Sequence, residues 1–214
     1  MRTEVEAKFR ATNGDPLDDL AGRATLGRAL LGPGRTIDEL DRYLDTDDGS
    51  LTAAGWACRL RSREDAVRIS LKGPPSGSDG GWSHRRPEVE GPATAVIDLA
   101  AWPPSAAAEL LADLSAGRPL AEVLRLDQRR TERAVALGDG TALGTLSLDR
   151  VRMSANGATD PGQLFIVELE LDPASPRGED ELPGLAAALT AVPGLHADPR
   201  TKLEHALERL DPTR

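Results

Sequence analysis

The chain opens with Met1-Arg-Thr-Glu-Val-Glu-Ala-Lys-Phe9, a stretch in which charged and apolar residues alternate. Successive side chains of a β-strand point to opposite faces, so the alternation places Glu4, Glu6 and Lys8 on one face. The apolar residues between them occupy the other face. The opening stretch therefore predicts a strand with one charged face and one apolar face.

Charged residues recur at the same two-residue spacing on later predicted strands. They are Arg59 and Arg61; Arg86, Glu88 and Glu90; Asp127 and Arg129; and Glu168 and Glu170, with Lys72 and Asp149 single on other strands. On any one strand, this pattern is typical of a sheet face exposed to solvent. Across many strands, the intervening apolar residues form one side that helices can cover. The charged side is then expected to line the inside of a closed barrel.

The turn and strand signals predict about eight strands joined mostly by short turns. We therefore expect an α+β fold in which an eight-stranded antiparallel β-barrel forms a tunnel, with helices packed on the outside. Helices are predicted over residues 17–31, 93–117, 182–192 and 202–210, the second interrupted by Pro103-Pro104. The segment Gly73–Gly81 is predicted to be an exposed loop within one domain of residues 1–214.

Composition and charge exclude several classes of protein. The 214 residues carry a formal net charge of −9, which argues against a protein that coats a nucleic-acid backbone. A single cysteine cannot form an internal disulfide framework. No apolar run approaches the roughly 20 residues that span a bilayer, and the charged N-terminus is unlike a signal peptide. We expect a cytoplasmic protein with no nucleic-acid or membrane partner, and leave a homodimer open.

The two kinds of charge inside the predicted tunnel indicate a ligand class. Several Arg and Lys side chains that converge on one cavity suit a polyanion, because guanidinium groups match phosphate oxygens. A separate set of carboxylates suits hard divalent cations such as Mg²⁺ or Mn²⁺. Together they favour phosphoryl-transfer chemistry, in which the protein mainly positions groups and neutralises charge.

The opening motif Glu4-Val-Glu-Ala-Lys8 resembles the ExExK signature of the CYTH superfamily, the triphosphate tunnel metalloenzymes. Further matches follow in the family order: Tyr43-Leu-Asp-Thr46, Arg59-Leu-Arg61, Leu71-Lys-Gly73, Arg86-Pro-Glu-Val-Glu90, Asp149, Glu168-Leu-Glu170 and Lys202-Leu-Glu204. A single such motif would be weak, but their combination in order is specific. The resemblance covers about residues 2–210.

This resemblance implies metal-dependent hydrolysis of a triphosphate compound inside the barrel. The catalytic residues that it implies are Glu4, Glu6, Lys8 and Glu170. The substrate-binding residues are Lys8, Arg59, Arg61, Lys72, Arg86, Arg129, Arg130 and Lys202, where Arg129 and Arg130 compete for one inward position. The ligands of Mg²⁺ or Mn²⁺ are Glu4, Glu6, Glu88, Asp149, Glu168 and Glu170.

The substrate remains open among several triphosphates. We favour inorganic triphosphate, because the recognisable motifs contact only the triphosphate; thiamine triphosphate or a nucleoside triphosphate comes next. Trp56, Trp82 and Trp102 could stack on a base or a thiazole ring, although packing is the more common role of each. The alternatives are a class IV-type adenylate cyclase and a non-catalytic module that binds polyphosphate or a nucleotide.

Overall fold

The alternating segments form long strands in the computed structural model, which describes residues 2–75, 82–155, 158–159 and 162–210. The strands are β1 (Arg2–Ala11), β2 (Thr25–Leu26), β3 (Ala29–Leu31), β4 (Arg35–Thr46), β5 (Ala57–Arg63), β6 (Ala66–Lys72), β7 (Ser83–Pro92), β8 (Leu120–Ala136), β9 (Ala142–Ala155), β10 (Ala158–Thr159), β11 (Leu164–Leu171) and β12 (Leu195–Ala197). The helices are α1 (Asp15–Gly22), α2 (Ser50–Ala53), α3 (Ala106–Ser115), α4 (Gly178–Thr190) and α5 (Lys202–Leu210).

Eight of these strands close into a barrel. Following hydrogen-bonded neighbours, the order is β1–β7–β6–β5–β4–β8–β9–β11 and back to β1, and every pairing is antiparallel. Closure removes the free edges that an open sheet of this size would expose. The predicted eight-stranded antiparallel barrel with external helices is confirmed.

Helices cover the apolar outer face in two places. The outward residues of β1, β9 and β11 pack against α1 and α4, as in the cluster that joins Phe9 and Val167 to Leu17 and Leu185. The outward residues of β5, β6 and β7 pack against α2 and α3 in a second cluster. Burial of these apolar side chains turns the charged side of each strand inward. Among the described helices, none is long and apolar enough to cross a membrane.

The inside of the barrel is apolar at one end and charged in the middle. The inward residues Tyr43, Leu126, Val151 and Ile166 belong to a buried cluster that includes Ala206 of α5. Leu203 and Leu210 of the same helix also pack against this cluster. Helix α5 therefore lies across this end of the barrel and brings its first residue, Lys202, next to the charged section.

Two predicted helices differ from the observed structure. The segment predicted as a helix over 17–31 contains α1 and then the β2–β3 hairpin, because Gly27 adopts a positive φ of 57° and turns the chain. The predicted helix over 93–117 is reduced to α3 and one 3-10 turn, since Pro103-Pro104 precedes Ser105, whose side chain caps α3. Residues 76–81 of the predicted loop lie outside the described residues.

Candidate functional site

The charged section of the barrel encloses a cavity of about 180 Å³. Among the described residues that line it, nine are cationic and seven are carboxylates, so groups that bind phosphate and groups that bind cations share one space. The charged lining residues are Arg2, Glu4, Glu6, Lys8, Arg59, Arg61, Arg63, Lys72, Arg86, Glu88, Glu90, Arg130, Glu132, Glu168, Glu170 and Lys202.

Glu4 and Arg86 lie opposite each other on β1 and β7. Glu4 accepts hydrogen bonds from Lys72 Nζ at 2.5 Å and from Arg86 Nε at 2.8 Å. Arg86 also donates to Glu6 at 3.2 Å, and Lys8 Nζ lies 3.2 Å from the same Glu6 oxygen. Burial by itself raises the pKa of Glu4, but Lys72 and Arg86 outweigh burial and hold that pKa well below its usual value. Glu4 is therefore ionised at neutral pH.

Asp149 and Glu168 share two cations. Arg130 donates to both Asp149 oxygens at 2.7 Å and to Glu168 at 2.9 Å. Lys202 Nζ donates to the same two carboxylates at 2.6 and 2.9 Å. Asp149 is fully buried, and its pKa is lowered because Arg130 and Lys202 outweigh the effect of burial. As metal ligands, both carboxylates would have to exchange one of these partners.

Glu6 and Glu170 form a like-charged pair on neighbouring strands. They are opposite each other in the β1–β11 register, where like charges destabilise a sheet. The ion-pair partner of Glu170 is Arg2, at 3.3 Å, and the Glu170 side chain is 39% exposed. Burial, together with nearby Glu4 and Glu6, raises the pKa of Glu170 to about 7. A divalent cation bound between these carboxylates would relieve the repulsion.

The donor set therefore fits a hard cation such as Mg²⁺ or Mn²⁺, because it consists of carboxylate oxygens. The residues that could hold the ion are Glu4, Glu6 and Glu170. Within the described part of the chain, no three acidic, His or Cys side chains are already arranged as a metal centre. Glu88, another predicted ligand, is enclosed by Arg2, Ser70 and Lys72 at 2.6, 3.0 and 3.4 Å.

The two arginines of the Arg59-Leu-Arg61 motif are in different environments. Arg61 lies opposite Asp41 on β4 and donates to both of its carboxylate oxygens, at 2.6 and 2.7 Å. Arg59 lies opposite Tyr43, and its nearest carboxylate, Asp41, is 3.7 Å away. With respect to the described residues, its buried Nε has no hydrogen-bond partner. Arg59 is therefore the better placed of the two to bind an anion.

The competition between Arg129 and Arg130 is decided by the direction of each side chain. Arg130 is buried and lines the cavity. Arg129 is exposed on the outer surface of the barrel, beside Asp38 and Arg150 in the strand registers. Arg130 therefore takes the inward position, and Arg129, on the outer face, does not line the cavity.

The charged residues of β4 and of the barrel rim were not predicted from the sequence. Glu39 and Asp41 are fully buried, and Gln128 of β8 donates hydrogen bonds to both. Arg63 donates hydrogen bonds to both carboxylate oxygens of Glu132, at 2.7 and 2.6 Å, at the end of the cavity farther from Tyr43. The period-two signal is obscured there, because Leu40 separates Glu39 from Asp41 but the flanking residues Asp38 and Arg42 are also charged.

The Asp198 carboxylate stabilises the segment that leads into α5 through contacts with Arg10, Arg200 and His205. Its Oδ2 atom lies about 3 Å from Arg10 Nε, Arg200 Nη2 and His205 Nε2, at 3.1, 3.0 and 3.1 Å. Burial by itself raises the pKa of Asp198, but hydrogen bonds from Arg200, the charge of protonated His205 and a hydrogen bond from Arg10 together lower it to about 2. This carboxylate links β1 to the N-terminal side of α5 and so helps to place Lys202.

We expect Asp198 to stabilise the fold in a pH-dependent way. Its pKa is lower in the folded protein than its ordinary value of 3.8, so its contribution is complete above pH 4 and is lost as the pH falls towards 2. Urea unfolding of the wild type and of Asp198→Asn between pH 2 and 6 measures this contribution. The difference between the two free energies of unfolding should shrink below pH 4. A difference that is constant over this range would contradict the ionic role.

Comparison with known proteins gives one family and several structures. The sequence model of the CYTH domain matches residues 2–206. A Hippeastrum protein assigned as an adenylyl cyclase, and described as revealing a dominant triphosphatase activity, is 18% identical over 94% of this chain and 93% of its own, with a TM-score of 0.63. A Bacillus halodurans protein assigned as an adenylate cyclase is 18% identical over 96% and 98%, with a TM-score of 0.61. No curated protein matches the sequence. At this identity the two structures support the fold alone.

Proposed function

The chain belongs to the CYTH domain family, and from this we propose that it hydrolyses a triphosphate compound inside its barrel with the help of a divalent metal ion. One observation carries the proposal: a single enclosed cavity brings Arg59, Lys72 and Arg86 together with the like-charged pair Glu6 and Glu170. Cationic donors fit phosphate oxygens, and repelling carboxylates fit a divalent cation.

We assign the phosphate oxygens to seven of the nine cationic side chains that line the cavity in the described part of the chain. These are Lys8, Arg59, Arg61, Lys72, Arg86, Arg130 and Lys202. Lys72 and Arg86 donate to Glu4 in this structure, so a triphosphate that takes over these donors would release Glu4. A bound Mg²⁺ or Mn²⁺ would neutralise phosphate charge and lower the pKa of water. We propose that Glu4, Glu6 and Glu170 hold this ion. Of the other predicted ligands, Glu88 and Glu168 line the same cavity, whereas Asp149 is fully buried against Arg130 and Lys202 and does not line it.

Tripolyphosphate is expected to raise the melting temperature of the protein. A ligand that binds only the folded state, at a hundredfold excess over its Kd, adds about 2.7 kcal/mol. For a domain of this size, that corresponds to an increase of about 5–10 °C. Differential scanning fluorimetry with and without tripolyphosphate measures the shift.

Orthophosphate at equal concentration is the control for this shift. It can engage only one or two of the cationic side chains, so it should change the melting temperature little. Equal shifts from the two anions would show that the cavity does not recognise a triphosphate. With Ca²⁺ in place of Mg²⁺ we expect stabilisation without comparable turnover, because the larger ion positions reacting groups less strictly.

A substrate panel separates the candidate activities. Tripolyphosphate, thiamine triphosphate and ATP are incubated with Mg²⁺ or Mn²⁺, and orthophosphate, pyrophosphate and cyclic AMP are measured. Orthophosphate from tripolyphosphate supports the favoured activity. Cyclic AMP from ATP would instead indicate a cyclase, and binding without any product would indicate a non-catalytic module.

An organic triphosphate is a second candidate, favoured by a separate pocket. A cavity of about 630 Å³ adjoins the charged one and shares Tyr43, Ala57 and Leu203 with it. Its lining includes Trp56 and Leu207, and its charged lining residues are all acidic within the described structure. An aromatic face beside carboxylates suits a flat, cationic ring such as the thiazolium of thiamine.

Replacing Trp56 tests this second candidate. If a cationic ring stacks on the indole, Trp56→Leu should raise the KM for thiamine triphosphate about tenfold, which is the scale of a cation–π contact. The KM for tripolyphosphate should not change, because tripolyphosphate has no organic group. A parallel change for both substrates would assign Trp56 to packing, and melting temperatures measure any packing defect.

The remaining sequence-based assignments stay predictions. They are a single domain over residues 1–214, a cytoplasmic location, the absence of nucleic-acid and membrane partners, and a homodimer as an open possibility. Size-exclusion chromatography with light scattering measures the oligomeric state.

A further inference from the structure

We infer that Asp41 is a positioning residue, which holds Arg61 and orients Arg59 so that Arg59 can bind the triphosphate. The inference rests on the proposed function, and it concerns a residue outside the motifs that point to that function. Asp41 is fully buried behind the cavity wall and does not line the cavity. It therefore acts through the arginines and not on the substrate.

The Asp41 carboxylate lies within 4 Å of two arginines of β5. Arg61 is held by two parallel hydrogen bonds to both carboxylate oxygens, at 2.6 and 2.7 Å. Arg59 Nη1 lies 3.7 Å from Asp41 Oδ2, close enough for attraction but too far for a hydrogen bond. The guanidinium of Arg59 is thus attracted towards β4, while its Nε makes no hydrogen bond to the described residues.

A second contact fixes Asp41 itself. Gln128 Nε2 donates to Asp41 at 3.0 Å and to Glu39 at 2.8 Å, so one amide joins the two buried carboxylates. Glu39 in turn lies 3.3 Å from Arg61 Nη1 and 3.2 Å from Arg63 Nη1. Asp41 therefore has partners on both sides, and its carboxylate has little freedom to turn.

Charge explains why this support is needed. Arg59, Arg61 and Arg63 are neighbours on the same face of β5, and like charges at this spacing repel one another. Burial by itself raises the pKa of Asp41, but Arg61 and Arg59 outweigh burial and lower it, so Asp41 remains ionised. An ionised Asp41 holds the arginines together when no anion is bound.

Whether replacement of Asp41 weakens or tightens tripolyphosphate binding distinguishes a positioning role from a purely electrostatic one. Asp41 is a negative charge near a site for a polyanion, so its removal should tighten binding if only charge matters. If Asp41 positions the arginines, its removal should weaken binding instead. A purely structural role would lower the melting temperature and leave the affinity of the folded protein unchanged.

The experiment measures tripolyphosphate binding by calorimetry in metal-free buffer, well below the melting temperature. Asp41→Asn should weaken binding about 10- to 100-fold, the scale of a misplaced binding group. Gln128→Met alters no charge and removes the amide that holds Asp41, so it should weaken binding in the same direction but less. Glu122→Gln removes a comparable arginine partner on the outside of the barrel, where Arg42 and Arg125 contact it, and should leave binding unchanged.

Each outcome decides one question. Unchanged or tighter binding by Asp41→Asn overturns the positioning role while leaving the proposed function intact. If Asp41→Asn does not fold, Gln128→Met decides, and wild-type affinity in that variant overturns the inference. A wild-type protein that binds tripolyphosphate neither in this buffer nor in the presence of Mg²⁺ or Mn²⁺ overturns the proposed function, and this result is visible without any variant.

Discussion

Replacing Glu170 by glutamine should lower metal-dependent turnover by about 100-fold or more and, in the metal-free protein, raise the melting temperature. A divalent ion supplies several kcal/mol of transition-state stabilisation, and each 1.36 kcal/mol is about a factor of ten in rate. Glutamine has nearly the volume of glutamate but lacks the charge that a hard cation requires. It also removes the repulsion between Glu170 and Glu6, which face each other across β11 and β1. One substitution is therefore expected to damage activity and strengthen the fold.

Glu132→Gln is the matched control for the change in stability. Glu132 also lines the cavity, but Arg63 donates to both of its oxygens, so its replacement should lower the melting temperature. Turnover at limiting Mg²⁺ or Mn²⁺ and melting curves in EDTA at pH 8 measure the two effects. Wild-type rates for Glu170→Gln would exclude Glu170 as a metal ligand. A lower melting temperature of Glu170→Gln would show that the ion pair of Glu170 with Arg2 stabilises the fold.

Arg61→Ala is expected to lower the free energy of unfolding by about 3–5 kcal/mol, the usual cost of leaving a buried charge without its partner. The charge in question is that of Asp41, which is fully buried and loses two hydrogen bonds. Arg59→Ala should cost far less, because its Nε makes no hydrogen bond to the described residues and its nearest carboxylate is 3.7 Å away. The same variant should abolish most of the stabilisation by tripolyphosphate.

Chemical denaturation and melting curves with and without tripolyphosphate test this contrast. The sequence motif alone predicts equal behaviour, since both arginines lie on the same face of β5 and both line the cavity. Similar losses of stability in the two variants would show that Arg59 is also a structural partner of Asp41. If tripolyphosphate raises the melting temperature of Arg59→Ala as much as that of the wild type, other cationic residues of the cavity bind the anion.

The alternation of charged and apolar residues was sufficient to predict the barrel and which face of most strands turns inward. The reason is physical: once helices bury Val5, Leu60 and Leu169, the opposite face of each strand has to point into the barrel. For the same reason, parity alone selected Glu4, Glu6, Arg59 and Glu168 as residues of one interior.

Tertiary structure decided which charges meet inside that interior. The sequence predicts several Arg and Lys side chains converging on one cavity, and the strand registers place two of them opposite carboxylates, Arg61 opposite Asp41 and Arg130 opposite Asp149. The partners in each pair are 20 and 19 residues apart, on strands that follow each other along the chain, so their contact depends on the register of each strand pair. The registers also leave Arg59 opposite a tyrosine and Glu6 opposite Glu170, because the position of a strand relative to its neighbour is not encoded in the alternation of either strand.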